Sequence, residues 1–217
     1  MTTALRHVCW IGGGSGSGKS TIARRLAAEH GLTYYGTDDV MREHAARTTA
    51  EESPYLHAFL GMSMDERWAD RSPRTMLETF HWYRGEGFHL IVEDLLAVEG
   101  GVVAEGFRLL PHLVAPLTDR AVWLLPTPEF RTAAFDARGI PWAIPAQTTD
   151  YRRARRNLLE RDRLFTERIR AETARLNLPA IEVDATTTED TLTAQVSAIV
   201  LPRPPRSGSP PVHRGPE

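Results

Sequence analysis

Apolar residues along this chain fall into short runs separated by stripes of helical spacing. Val8–Ile11, Leu32–Tyr35, Val102–Glu105, Ala121–Leu125 and Ile181–Asp184 have the length of strands. Between them apolar positions recur every three or four residues, as on one face of a helix. Ile22, Leu26 and Ala27 form one such stripe, and Leu192, Val196, Ile199 and Val200 form the last. The alternation predicts an α/β fold on a mostly parallel sheet. In such sheets ligands sit beyond the carboxyl ends of the strands, so the residues just after each run carry the chemistry.

Two long segments interrupt the alternation. The first, about 40–98, is mainly helical. Ser72-Pro73 reads as an N-cap followed by proline at the first helical position, with Met76, Phe80 and Tyr83 behind it. Phe88, Ile91, Val92, Leu95 and Leu96 resume the stripe, so the pattern predicts one helix that Gly85 and Gly87 weaken or bend. The second segment, about 131–165, carries a loop marked by Pro141 and Pro145. A helix is expected from Asp150 to about Leu176, with Leu158, Phe165, Ile169 and Leu176 as its core stripe and arginines on its other faces. Residues 1–201 are expected to form one domain. Residues 202–217, punctuated by six prolines, are expected to be disordered.

Directly after the first strand stands Gly13-Gly14-Ser15-Gly16-Ser17-Gly18-Lys19-Ser20, which fits the phosphate-binding pattern GxxxxGK[ST]. Glycines let the backbone approach an anion, so that successive N–H groups form a nest, and the following helix N-terminus adds donors. Lys19 is the only lysine among 26 lysines and arginines. A compact ammonium on a flexible stem reaches between β- and γ-phosphates, where a planar guanidinium is too wide. Ser20 offers a hydroxyl to Mg²⁺ and Thr21 contacts phosphate or caps locally. The motif predicts a magnesium-bound nucleoside triphosphate, and ATP and Mg²⁺ are the expected cofactors.

Composition narrows the rest. A net charge of -2 argues against bulk nucleic-acid binding. Cys9, the only cysteine, lies in a predicted core strand, so an internal disulfide and a CxxC metal site are excluded. No long apolar run opens the chain, and a cytoplasmic protein without a membrane span, monomeric or homodimeric, is expected.

Glu105, at the end of the third run, is placed to hold Mg²⁺ or orient a nucleophile, unless it merely caps the next helix. Arg108 just beyond either binds an acceptor anion or is a surface arginine. Asp38 and Asp39 follow the second run. Either fits a general base that takes a proton from an acceptor hydroxyl, and both also fit a helix N-cap. Arg152, Arg153 and Arg156 are the candidates for a closing segment that neutralises a transferred phosphoryl group. His81, Trp82 and Arg84 fit the wall of an acceptor pocket, or simple helix packing.

The stretch Cys9–Ile22, with Asp38 and Val102–Gly106, resembles the small-molecule kinases of the P-loop NTPase superfamily. Gly36-Thr37-Asp38 looks like the segment carrying the base of chloramphenicol phosphotransferase-like enzymes. The layout is also similar to shikimate, gluconate and uridine kinases, although adjacent Asp38-Asp39 departs from the Asp-x-Asp of shikimate kinases. The resemblance implies a three-layer fold with a five-stranded parallel sheet in the order 2-3-1-4-5. It implies an acceptor site in the 40–98 insert, a lid at 131–165, and adenine near Asp184-Ala185-Thr186. A hydroxyl-directed kinase, a nucleoside monophosphate kinase and a nucleotide-dependent regulatory ATPase all remain open at this point.

Overall fold

The computed structural model describes residues 5–139 and 144–201. Pro141 and the 202–217 tail, where a loop and disorder are expected, lie outside the described residues. The five apolar runs form β1 (Val8–Gly13), β2 (Thr33–Gly36), β3 (Val102–Glu105), β4 (Ala121–Pro126) and β5 (Ala180–Val183). They make one sheet in the order β2-β3-β1-β4-β5, and every neighbouring pair is parallel. Every residue of β1, β3 and β4 is buried, because helices cover both faces. The edge strands β2 and β5 are only partly covered.

Strand alternation divides the core in two. Cys9, Ile11, Val103, Val122 and Leu124 point to the side covered by α1 (Lys19–His30) and α9 (Glu189–Val200). Trp10, Ala104, Trp123 and Leu125 point to the other side, against α8 (Tyr151–Arg175) and the insert. The result is helix, sheet and helix in three layers. Asp150 caps α8 by accepting the Arg153 backbone N–H at 2.9 Å, and Leu158, Phe165 and Ile169 bury its stripe. Thr173, rather than Leu176, completes that stripe at its C-terminal end.

The insert consists of α2 (Met41–Arg47), α3 (Pro54–Leu60), a π-helical turn at Glu66–Asp70, α4 (Pro73–Thr79), a 3₁₀ turn at His81–Arg84 and α5 (Phe88–Ala97). Ser72 caps α4, accepting from the Thr75 N–H at 3.1 Å. The single bent helix expected over 73–97 is instead broken. Gly85 and Gly87 both adopt left-handed φ, of 84° and 71°, so they end one element and start the next. Two short helices follow β3 and β4, α6 (Pro111–Val114) and α7 (Pro128–Ala137). Among the described residues no helix is long and apolar enough to cross a membrane.

Candidate functional site

The glycine loop links β1 to α1 at the carboxyl end of the sheet centre. Gly13 shows why the sequence needs glycine. Its φ is 125°, and a Cβ there would lie 2.1 Å from the Leu124 carbonyl oxygen. The loop is pinned to β4 by the Gly14 N–H donating to Leu124 O at 2.9 Å. Lys19 is buried, and its Nζ donates to Gly14 O at 2.7 Å and Ser17 Oγ at 3.4 Å. Burial lowers the ammonium pKa from its ordinary value, while Glu105 and Asp38 oppose that shift.

A cavity of about 140 Å³ lies over the loop, lined by Ser15–Thr21, Asp38, Glu105, Phe107 and Arg138. Glu105, buried at the end of β3, accepts from Tyr34 OH at 2.8 Å. Asp38 is exposed at the rim of the cavity, next to buried Thr37. Desolvation raises its carboxyl above the ordinary carboxylate value, with Lys19 opposing and Glu105 adding to the rise. Ser20, Asp38 and Glu105 thus bring one hydroxyl and two carboxylates to the same cavity. That oxygen donor set fits Mg²⁺ arriving with phosphates and water.

A second cavity of about 370 Å³ adjoins the first. Ser15, Asp38, Phe107 and Arg138 line both. The second is walled mainly by aromatic side chains of the insert, including Phe59, Trp68, Phe80 and Trp82. Phe59 and Trp68 meet edge to face at 5.7 Å, and Tyr83 stacks on Phe165 at 3.7 Å. Arg161 lies under this cluster, 5.0 Å from both the Trp68 and Phe80 rings.

One buried carboxylate, Asp162, serves two buried arginines. Arg131 Nε and Nη2 donate to its Oδ2 at 2.9 and 2.7 Å. Arg161 Nε and Nη2 donate to its Oδ1 at 3.2 and 2.7 Å. Burial alone would raise the Asp162 pKa, but the two guanidinium groups outweigh it and hold the carboxyl below its ordinary value. Arg131 Nη1 and Arg161 Nη1 are buried without a hydrogen-bond partner among the described residues. A Cβ at Gly16 would lie 3.1 Å from Arg131 Cδ and 3.4 Å from its Nη1, so this arginine abuts the phosphate loop.

Several expected site residues stand elsewhere. Arg152 and Arg156 are exposed on α8, and Arg156 lines a separate groove between α7 and α8. Arg153 donates to Asp70 O at 3.4 Å. Arg131 and Arg138, on and just after α7, are the arginines beside the loop. Both disfavour the charged ammonium of Lys19. Arg84 is exposed and lies over the Tyr55 ring at 3.9 Å. Asp39 faces outward and pairs with Arg24 at 3.8 Å. Asp184 Oδ1 accepts from the Thr186 N–H at 2.9 Å, so Asp184-Ala185-Thr186 is a self-bonded turn leading into α9.

Arg108 is buried, and both of its terminal nitrogens are engaged by protein groups. It lies over the Trp82 ring at 4.0 Å and donates to Thr37 O at 3.3 Å, Gly87 O at 3.2 Å and His44 Nδ1 at 3.0 Å. His44 Nε2 in turn contacts Asp94 Oδ2 at 2.7 Å, which also accepts from Tyr35 OH at 2.7 Å. The chain of contacts fastens the segment ahead of Asp38 to α2 and α5.

A glycine loop with lysine and serine, central in a 2-3-1-4-5 parallel sheet and faced by a carboxylate at the end of β3, defines a P-loop nucleotide-binding protein. A family model described as an AAA domain matches residues 12–83. An adenylate kinase of Deinococcus radiodurans is 33% identical over 133 residues, which cover 56% of this chain and 66% of that protein. An adenylate kinase of Pyrococcus horikoshii is 30% identical over 109 residues, covering 49% and 41%. The chain thus spans under two thirds of the length of these curated relatives. A solved deoxyadenosine kinase from M. mycoides, with bound dATP, is 13% identical, with a TM-score of 0.48 over 88% of this chain and 97% of its own. The chain thus carries a P-loop domain that is similar, over about half of its length, to adenylate kinases.

Proposed function

We propose that this chain moves the γ-phosphoryl group of ATP to a hydroxyl of a small molecule. The observation that carries the reading is the shared wall of the two cavities, where Asp38 faces the phosphate loop on one side and the aromatic chamber on the other. Loop amides and Lys19 hold the β- and γ-phosphates. Ser20 and Glu105 would hold Mg²⁺, which would supply charge neutralisation at the phosphates. The 40–98 insert seats the acceptor, and the 131–165 segment closes over it. Asp38 takes the hydroxyl proton as the acceptor oxygen bonds to the γ-phosphorus and the bond to the β-phosphate oxygen breaks. Arg131 and Arg138 stabilise the charge that develops on the transferred group.

The test is Asp38→Asn. Steady-state turnover with an acceptor pool and ATP–Mg²⁺ is expected to fall by about 10²- to 10⁴-fold in kcat, with ATP affinity retained. The adenylate kinase relatives favour a second reading, in which the acceptor is a nucleoside monophosphate. A phosphate acceptor needs no base, so near-normal kcat in Asp38→Asn would support that reading and sink the first.

A further inference from the structure

The walls of the larger cavity restrict what can sit in it. Phe59, Trp68, Phe80, Trp82 and Phe135 line it, an aromatic surface that suits a flat apolar body. A polyhydroxylated sugar acid would bury hydroxyls against those rings without partners. Each buried polar group left unpaired costs roughly ten- to a hundredfold in affinity. Charge restricts the ligand further. Arg131, Arg138 and Arg161 face Asp38 and Asp162 around the cavity, a net of one positive charge. That disfavours cationic ligands and leaves a phosphate dianion under-matched.

Three of the residues lining the cavity, Arg131, Arg161 and His81, each keep one polar atom that the protein leaves unpaired. Arg131 Nη1, Arg161 Nη1 and His81 Nδ1 are buried and have no hydrogen-bond partner among the described residues. The two guanidinium nitrogens can only donate, so they require oxygen or nitrogen acceptors. Burial, with Arg108, Arg67 and Arg161 around it, pushes the His81 imidazole down to about 3, so it is neutral and can donate or accept.

We propose that the ligand of this cavity is a ring-bearing alcohol: a planar aryl or heteroaryl body whose edge carries a carbonyl or carboxylate oxygen for Arg161, with its hydroxyl at the Asp38 end. As a substrate assignment this rests on the phosphotransfer reading. As a statement of what the cavity binds, it does not. It separates nucleosides and acylated aryl alcohols from sugar acids and from nucleoside monophosphates.

The experiment uses the full chain saturated with a non-hydrolysable ATP analogue and Mg²⁺. Trp68 and Trp82 line the cavity, so quenching of tryptophan fluorescence reports occupancy. The probes are uridine, thymidine and 4-(hydroxymethyl)benzamide, against benzyl alcohol, ribose, gluconate and uridine monophosphate. At least one oxygen-bearing ring alcohol is expected to bind about tenfold or more tightly than ribose, gluconate and the monophosphate. Benzyl alcohol, which lacks the ring-edge oxygen, is expected to bind about tenfold more weakly than the benzamide. In Arg161→Met, checked for folding by retained analogue binding, that last difference is expected to collapse. The unmodified protein carries the decisive comparison if this variant does not fold.

Gluconate or the monophosphate binding as tightly as every ring alcohol would overturn the proposal. So would no response to any ring alcohol while the ATP analogue binds. Selective ring-alcohol binding without product formation from ATP itself would uphold this inference and remove the phosphotransfer reading instead.

Discussion

The phosphate loop and the aromatic cavity meet at Asp38, yet they are built in opposite ways. The loop is eight consecutive residues whose ligand groups are mostly backbone amides, fixed by local glycine geometry and one anchor to β4. The cavity takes side chains from segments as far apart as Asp38 and Asp162, and it exists only once the insert, α7 and α8 have packed. Local construction makes the nucleotide end tolerant of changes elsewhere and intolerant of changes within. Construction from distant segments makes the acceptor end adjustable one wall at a time.

Lys19→Ala should break the comparison most sharply at the nucleotide end. We expect kcat/KM to fall by roughly 10³-fold or more, read as ADP release, with the fold intact by circular dichroism. Gly13→Ala should act on the fold itself, because its Cβ would overlap the Leu124 backbone. We expect a stability loss on the order of 3 kcal/mol in urea titration. At the junction, Arg131→Met should lower kcat by roughly 10- to 100-fold, whereas Arg156→Ala on the exposed face of α8 should change it less than about twofold. Equal effects from the two arginines would show that the loop-side placement of Arg131 has no catalytic weight.

The smallest expected effect is a stability difference that fades as pH falls. The folded state raises the Asp38 pKa, so it binds that proton more tightly than the unfolded chain does. Stability contributed by the protonated form is therefore lost as pH rises through the raised value. Asp38→Asn should melt slightly above the parent at pH 7, and the gap should close below the ordinary carboxylate pKa. A mutant that melts lower at pH 7 would contradict the raised value.

The same contrast explains what was legible in the sequence. All five strands lie within two residues of their apolar runs, and α8 starts within one residue of the expected Asp150, because burial of a strand or of a helix stripe leaves direct marks. The glycine loop was legible because its geometry is local. The broken helix was not, since Gly85 and Gly87 differ from tolerated helix glycines only through the contacts that favour left-handed φ. Arg108 lies just after β3, but its fate was set by Trp82, His44 and two carbonyl groups remote in sequence. Arg131 and Arg138 lie in the segment expected to close over the site but were not singled out within it, because α7 is short and its pattern is mixed. A usable signal did exist at Arg161 and Asp162. They fall three and four positions after Leu158 and before Phe165, on the apolar stripe, where charged residues require each other or a ligand.

The contacts running from Arg108 through His44 to Asp94 carry a spectroscopic consequence. A guanidinium has no lone pair to offer, so the nitrogen of His44 it touches must accept, and the other ring nitrogen must hold the single hydrogen and give it to Asp94. Nitrogen-15 shifts of that one imidazole should therefore report a single fixed tautomer. They provide a built-in reporter of whether the platform under Asp38 has assembled, in a protein with no chemistry yet running.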